Sequence, residues 1–164
     1  MVDSKERPKV NKILVPVDKT PLSIKAARYA MHLADIEKAE TLILLNVIED
    51  IKQGGAIGLQ AKYGNMNLVR EFEELRRQSA MNIMDSIAAG LPEKEQSKVN
   101  IKREILNANG RPVAKAVLDY SYNNNIDIII IGGRKLAKWK YLLLGGSVTA
   151  GIINNAKCHV LLIR

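Results

Sequence analysis

Two glycine pairs frame the part of the chain best suited to hold an anion. "IDIIIIGGRKLAKWKYLLLGGSVTAGI", residues 126–152, runs from a stiff apolar stretch into Gly132 and Gly133. Four cations follow within seven residues, among them Arg134 and Lys135, and then Gly146, Ser147, Val148 and Thr149. Glycine permits tight turns and close backbone approach to a ligand. A helix opening after Gly146 would offer free N–H groups and a favourable dipole to a phosphate. Ser147 and Thr149 add hydroxyl donors, and Arg134 or Lys135 adds charge. The same residues also fit a plainer arrangement, with turn glycines and Ser147 as an ordinary N-cap. Neither G-x-x-x-x-G-K-[ST] nor G-x-G-x-x-G occurs, which disfavours a P-loop kinase or a simple dinucleotide enzyme.

A second, weaker signal lies in "KILVPVD". Asp18 follows Pro16 and Val17 at the end of an apolar run. Its carboxylate could accept a ribose hydroxyl or an adenine amine, or cap the helix that starts near Thr20. Val47, in the next apolar run, could pack against a purine or fill core. His32 and His159 lack metal-ligand spacing, and H-E-x-x-H, C-x-x-C and G-x-S-x-G are absent. Cys158 reads as a small inert residue beside the last strand, and Asp127 as a solvated or turn-capping acid. No acid–base pair stands out, so no strong chemistry is expected.

These residues must be placed by a scaffold, and the pattern along the chain supplies one. Apolar runs at "KILVPVD", "TLILLNVIED", "DIIIIGG" and "HVLLIR" read as strands. "KVNIKREIL" carries Lys102, Arg103 and Glu104 at its centre and reads as a guarded edge strand. Between the strands fall helical segments. Thr20 and Pro21 open the first as N-cap and N1, with Leu22, Ala26, Tyr29, Ala30 and Leu33 as its apolar stripe. The second spans about 68–89, with Phe72, Leu75, Ile83, Met84 and Ile87 on one side. Others lie near 112–124, with Val113, Ala116, Val117 and Tyr120 at helical spacing, and near 148–155. Alternating strands and helices predict an α/β fold: one open parallel sheet with helices on both faces and ligands beyond the strands' carboxyl ends.

With 164 residues and no repeat or linker, one domain is expected over 1–164, with a polar tail at 1–10 and a mobile loop at 50–65. The composition, 47% apolar and 26% charged, is that of a globular protein. No run is long enough to cross a membrane. The start of the chain lacks a secretory pattern, and a single cysteine fits a reducing compartment, so cytoplasmic placement is expected. A net charge of +8 reads as a solubilising surface. Basic and aromatic residues do not alternate, so nucleic acid is not an expected partner.

Taken together, four segments resemble the universal stress protein family, and the likeness covers almost the whole chain. "KILVPVDKTPLSIKAARYA" looks like its opening strand, acid and helix, and "LILLNVIED" like its second strand. "NGRPVAKAVLDYSYNNNIDIIIIGGR" resembles its G-x-P helix and D-x-I-x-x-G strand, and "LLLGGSVTAGIINNAKCHVLLIR" its ending. The resemblance implies a Rossmann-like sheet of five strands in the order 3-2-1-4-5 and a homodimer formed through the last strand, 158–163. It implies an adenine nucleotide, ATP or AMP, as a regulatory ligand, with Mg2+ or Mn2+ as a candidate companion. Pro16, Val17, Asp18 and Val47 would then enclose adenine and ribose above Ile131 and Gly132. Gly146, Ser147, Val148 and Thr149 would hold phosphates. ATP-binding members carry G-x2-G-x9-G-[S/T]; here the second glycine falls on Lys135, and ten residues rather than nine separate it from Gly146. These departures favour an alternative, a nucleotide-free dimeric interaction protein of the same fold. An enzyme of the wider superfamily, such as an adenylating ligase or flavoprotein subunit, would need a substrate domain that this chain is too short to carry.

Overall fold

A computed structural model describes residues 9–49, 66–91, 98–133 and 148–164. The expected tail (1–8 of it), the loop at 50–65 and residues 92–97 and 134–147 lie outside the described residues. The chain runs β1 (Lys12–Pro16), α1 (Pro21–Glu37), β2 (Thr41–Ile48), α2 (Met66–Ala89), β3 (Asn100–Asn107), α3 (Val113–Asn123), β4 (Ile128–Gly132), α4 (Val148–Asn155) and β5 (His159–Ile163). The five strands form one sheet in the order β3-β2-β1-β4-β5, with every pairing parallel.

Side chains alternate across the central strands, so each face buries its own core. On one face Ile13, Val15 and Val17 of the first strand region join Leu42, Leu44 and Ile130 beneath α1 and α2. On the other, Leu14, Ile43, Leu45, Ile129 and Ile131 meet Val117 of α3 and Ile152 of α4. The edge strand β3 exposes Lys102 and Arg103, and Arg103 Nε pairs with Asp85 of α2 at 2.8 Å. Such charges blunt an edge that could otherwise pair with another chain.

Thr20 caps α1 as its sequence predicts: its hydroxyl accepts from the Ser23 N–H at 3.4 Å, and Pro21 occupies the first turn. Lys38 closes the helix in the left-handed region at φ 53°, donating its N–H to Ala34 O. The buried face of α1 keeps Ala26 and Ala30 of the expected stripe and departs from it elsewhere. It is Ser23, Ala26, Ala27, Ala30, Met31 and Ala34, while Tyr29 is 44% exposed. The helix turns its smallest residues to the sheet and so packs close to it. In α2, Ala80, Met84 and Ile87 are buried as a core face, but Phe72 and Leu75 are 45% and 64% exposed. The 24 residues of α2 span about 36 Å, more than the roughly 26 Å of the 8-residue β2. The length difference leaves the helix's amino-terminal half extending past the apolar sheet.

Asp127 ties three strands together at their amino ends. Its Oδ2 accepts the backbone N–H of Asn11 and of Lys12, each at 2.8 Å. Its own N–H donates to Lys12 O at 3.1 Å, and its carbonyl accepts from the His159 N–H at 3.2 Å. The acid therefore completes the β1–β4 junction, where only two residue pairs are in register. Charge-assisted hydrogen bonds of this kind are among the stronger ones, and orphaning their donors is costly. Asp127→Ala is expected to lower stability by about 2–3 kcal/mol and Asp127→Asn by about 1 kcal/mol. Urea unfolding checks this; an alanine variant within about 0.5 kcal/mol of the parent removes the clamp.

Candidate functional site

The carboxyl ends of β1 and β4 are the place where the chain's crossovers diverge: β1 leads outward to β2 and β3, and β4 leads the other way to β5. Loops leaving such a point open a crevice in parallel sheets. Here Pro16 ends β1 half-buried and Val17 follows it at 5% exposure. The Val17 N–H donates to Leu45 O at 2.9 Å, and its carbonyl accepts from Asn46 Nδ2 at 2.9 Å. Val17 is therefore core, with both backbone groups engaged inside the sheet. Ile131 is likewise core at 5% exposure, on the face covered by α3 and α4.

Asp18 is an exposed acid at this end. Its Oδ1 accepts from the Thr20 N–H at 2.8 Å, from Thr20 Oγ1 at 2.6 Å and from Ser23 Oγ at 2.6 Å. The Asp18 N–H in turn donates to Ser23 Oγ at 2.8 Å. One carboxylate oxygen thus organises the first turn of α1, and the capping role foreseen as one option for Asp18 is present. Ser23, which completes this knot, is invisible to motif reading; its only signal is a buried hydroxyl within the first turn of a helix that follows an acid.

Gly132 closes β4 against α1. A Cβ placed there would lie 2.6 Å from Leu22 O and 2.7 Å from Leu22 C, both backbone atoms. At Gly133 a Cβ would lie 2.5 Å from Leu162 Cδ1 and 2.8 Å from Thr149 Cγ2. Neither glycine has positive φ. What they supply is room for the protein's own backbone and side chains, beside whatever room a ligand needs. Thr149 reaches back from α4, its hydroxyl 3.5 Å from Gly132 O, and Val148 is 37% exposed beside it. Arg134, Lys135, Gly146 and Ser147 lie outside the described residues.

A groove of about 370 Å³ opens beyond β1 and β2 and is walled by α2. It brings together Asp18 and Val47 from the sequence-predicted set, with Asn46 beside them. Its α2 wall presents Arg76, Ser79, Ala80 and Ile83, one helical face at i, i+3, i+4 and i+7. Sequence reading passed over Arg76 and Ser79, although that spacing was available. A larger hollow, about 600 Å³, lies between α3 and α4. There Lys115 and Arg111 hold the Asp119 carboxylate at 2.8 and 3.0 Å, and the hydrogen bond from Lys115 keeps its pKa below the usual range. That hollow is lined from α3, α4 and their flanking residues, apart from the strand ends.

The sequence profile of the universal stress protein family matches residues 9–164. The chain belongs to that family. A universal stress protein of Bacillus subtilis, YxiE, is 27% identical over 158 residues, covering 94% of this chain and 99% of its own. Solved structures share the fold. The universal stress protein UspA from Lactobacillus plantarum superposes with a TM-score of 0.65 at 23% identity, covering 96% of this chain and 100% of its own. A universal stress protein in complex with cAMP gives 0.62 at 18% identity, over 95% of this chain and 98% of its own. One from Archaeoglobus fulgidus in complex with dAMP gives 0.54 at 15%, over 94% and 98%. Within this universal stress protein fold, Gly132 is expected to be intolerant of any side chain. Gly132→Ala should cost about 1–3 kcal/mol, because the added methyl meets backbone that cannot rotate away. Thermal unfolding checks this, with Gly90→Ala, whose Cβ would sit 3.5 Å from its nearest neighbour, as the permissive control.

Proposed function

We propose that this universal stress protein binds an adenine nucleotide, AMP or ATP, as a regulatory ligand at the carboxyl ends of β1, β2 and β4. The observation that carries the reading is the joint placement of Asp18 and Val47 in one groove beyond the carboxyl ends of β1 and β2, on the β2 side of the switch point. Val47 is half-buried and offers an apolar floor for a flat base, while Asp18 and Asn46 offer polar groups at its rim. Complexes of family members with cAMP and dAMP support an adenine ligand. In this reading Pro16, Val17, Ile131 and Gly132 shape the walls through packing. Val148, Thr149 and, by sequence, Gly146 and Ser147 face the phosphates, with Arg134 and Lys135 supplying charge.

The described residues contain no group of three or more His, Cys, Asp or Glu side chains able to hold a metal. A magnesium or manganese ion would in this reading travel with the nucleotide's phosphates. Among the described residues no helix is long and apolar enough to cross a membrane. We place the protein's work in the cytoplasm, as a sensor of nucleotide with at most weak ATP hydrolysis. Released small molecules from the freshly purified protein should include an adenine nucleotide by mass spectrometry, and calorimetric titration with AMP and Mg-ATP should saturate. Ser147→Ala should weaken that binding about tenfold, the order expected for losing one hydrogen bond to a charged group. A parent protein that yields no nucleotide and gives no heat with either ligand removes the proposal. Lys135 and the lengthened spacing then favour the second reading, a nucleotide-free interaction protein.

The dimer is proposed through β5. This strand closes the sheet opposite β3, and Val160, Leu161, Leu162 and Ile163 along it are half-buried. The His159 N–H and the Ile163 carbonyl both bond toward β4 and the turn after it. In a strand alternate residues face opposite sides, so the backbone groups of Val160 and Leu162 face outward. A second copy could pair there. Val160→Pro removes one outward donor while leaving the inward ladder. It is expected to shift sedimentation from dimer to monomer with the fold's circular dichroism intact; a parent that sediments as a monomer excludes the pairing.

A further inference from the structure

The inward face of α2 changes character along its length. From Ile87 back through Met84 to Ala80 it is buried and apolar, packed on β2 and β3. One turn further toward the amino end, the same face becomes Ser79 and Arg76. The switch coincides with the point where the helix passes the carboxyl ends of β1 and β2, opposite Asp18, Asn46 and Val47. Arg76 is half-buried, and among the described residues it has no hydrogen-bond or salt-bridge partner. Its neighbour Arg77 is exposed, as a solubilising arginine should be. A guanidinium brought partly out of water loses hydration that no group among the described residues replaces, and a ligand rich in acceptor atoms would replace it.

The groove's two sides are chemically complementary to one kind of ligand. The strand side is acceptor-rich. Asn46 gives its amide NH₂ to Val17 O, and Asp18 and Glu49 are carboxylates, with Lys19 as the one cation on this side among the described residues. The helix side is donor-rich, with the guanidinium of Arg76 and the hydroxyl of Ser79. Val47 lies between them. A planar ring that donates from one edge and accepts at another fits such a slot, and an adenine base has that distribution, with an exocyclic amine on one edge and ring nitrogens elsewhere. A bare phosphate would be attracted to Arg76 and Lys19 and repelled by the two carboxylates, so charge alone does not draw it into the groove.

We propose that Arg76 is a specificity-determining contact of this site, donating from the α2 wall to the acceptor edge of the bound base rather than to the phosphates. The inference rests on the adenine-nucleotide reading above and adds α2 as a third wall to a site otherwise built from strand ends. The test uses AMP and adenosine as probes, with dissociation constants measured by titration calorimetry for the parent, Arg76→Ala and Arg76→Lys. Arg76→Ala is expected to weaken AMP and adenosine by the same factor, about tenfold, with an unchanged melting temperature. Arg76→Lys should recover part of the loss, since it keeps charge but not the planar fork. A loss for AMP alone overturns the proposal by assigning Arg76 to the phosphate, and unchanged affinity for both overturns it outright. A parent that binds neither probe is a different result, because it removes the nucleotide reading itself.

Discussion

Everything at the carboxyl end of this sheet depends on how closely α1 lies against β4. The contact is made at Gly132, where the backbone of Leu22 occupies the space a side chain would need. Such an approach requires small residues along the whole seam, and α1 provides Ala26, Ala27, Ala30 and Ala34, all fully buried. Close packing of this kind is intolerant of added volume. It also fixes where the helix begins. With α1 pressed onto β1 and β4, its first turn falls within reach of Asp18, and the carboxylate can gather Thr20 and Ser23 at once. The seam and the knot therefore constrain each other, and the crevice beside them inherits its shape from both.

The opposite end of the sheet is held by a different acid in a comparable way. Asp127 binds the amino ends of β1 and β4 through side-chain and backbone groups, and its carbonyl reaches β5. The central pair of strands shares few ladder positions, so the order of the sheet around the switch point relies on such terminal bonds as well as on apolar burial. One acid at each end of the same strand pair thus serves the scaffold. Only Asp18 is also exposed at the groove.

Much of this was legible in the sequence because it follows from periodicity. Four apolar runs, a guarded fifth strand and the Thr20–Pro21 helix start dictate an alternating α/β sheet, and the strand order agrees with the family resemblance. What periodicity could not convey was rotation and reach. The α1 stripe reads as Leu22, Ala26, Tyr29, Ala30 and Leu33, which would carry large apolar residues inward along with the small ones. Close packing instead selects the alanines, and Tyr29 turns out. Phe72 and Leu75 extend the apolar pattern of α2, yet the sheet beneath them has ended. The site was half legible for a related reason. Asp18 and Val47 follow strands and can be found from strand ends, whereas Arg76 and Ser79 enter from a helix distant in sequence, and only the fold brings them opposite.

Asp18 both organises the start of α1 and lines the groove, which limits how this wall can vary. A carboxylate that organises a helix start cannot be exchanged freely for another recognition group, because Thr20 and Ser23 would lose their acceptor together. Gly132 is fixed by sterics, and Val17 and Ile131 are fixed by the core. The strand-end wall is therefore conformationally and chemically rigid, suited to holding whatever ligand the fold accepts in one orientation. The α2 wall carries no such obligation: Arg76 and Ser79 sit past the apolar contact zone, where side chains can change without disturbing Met84, Ile87 or the sheet. In this chain the groove wall that is free to vary thus lies on the helix that overhangs the crevice, and the scaffold's own stability resides on the strands beneath it.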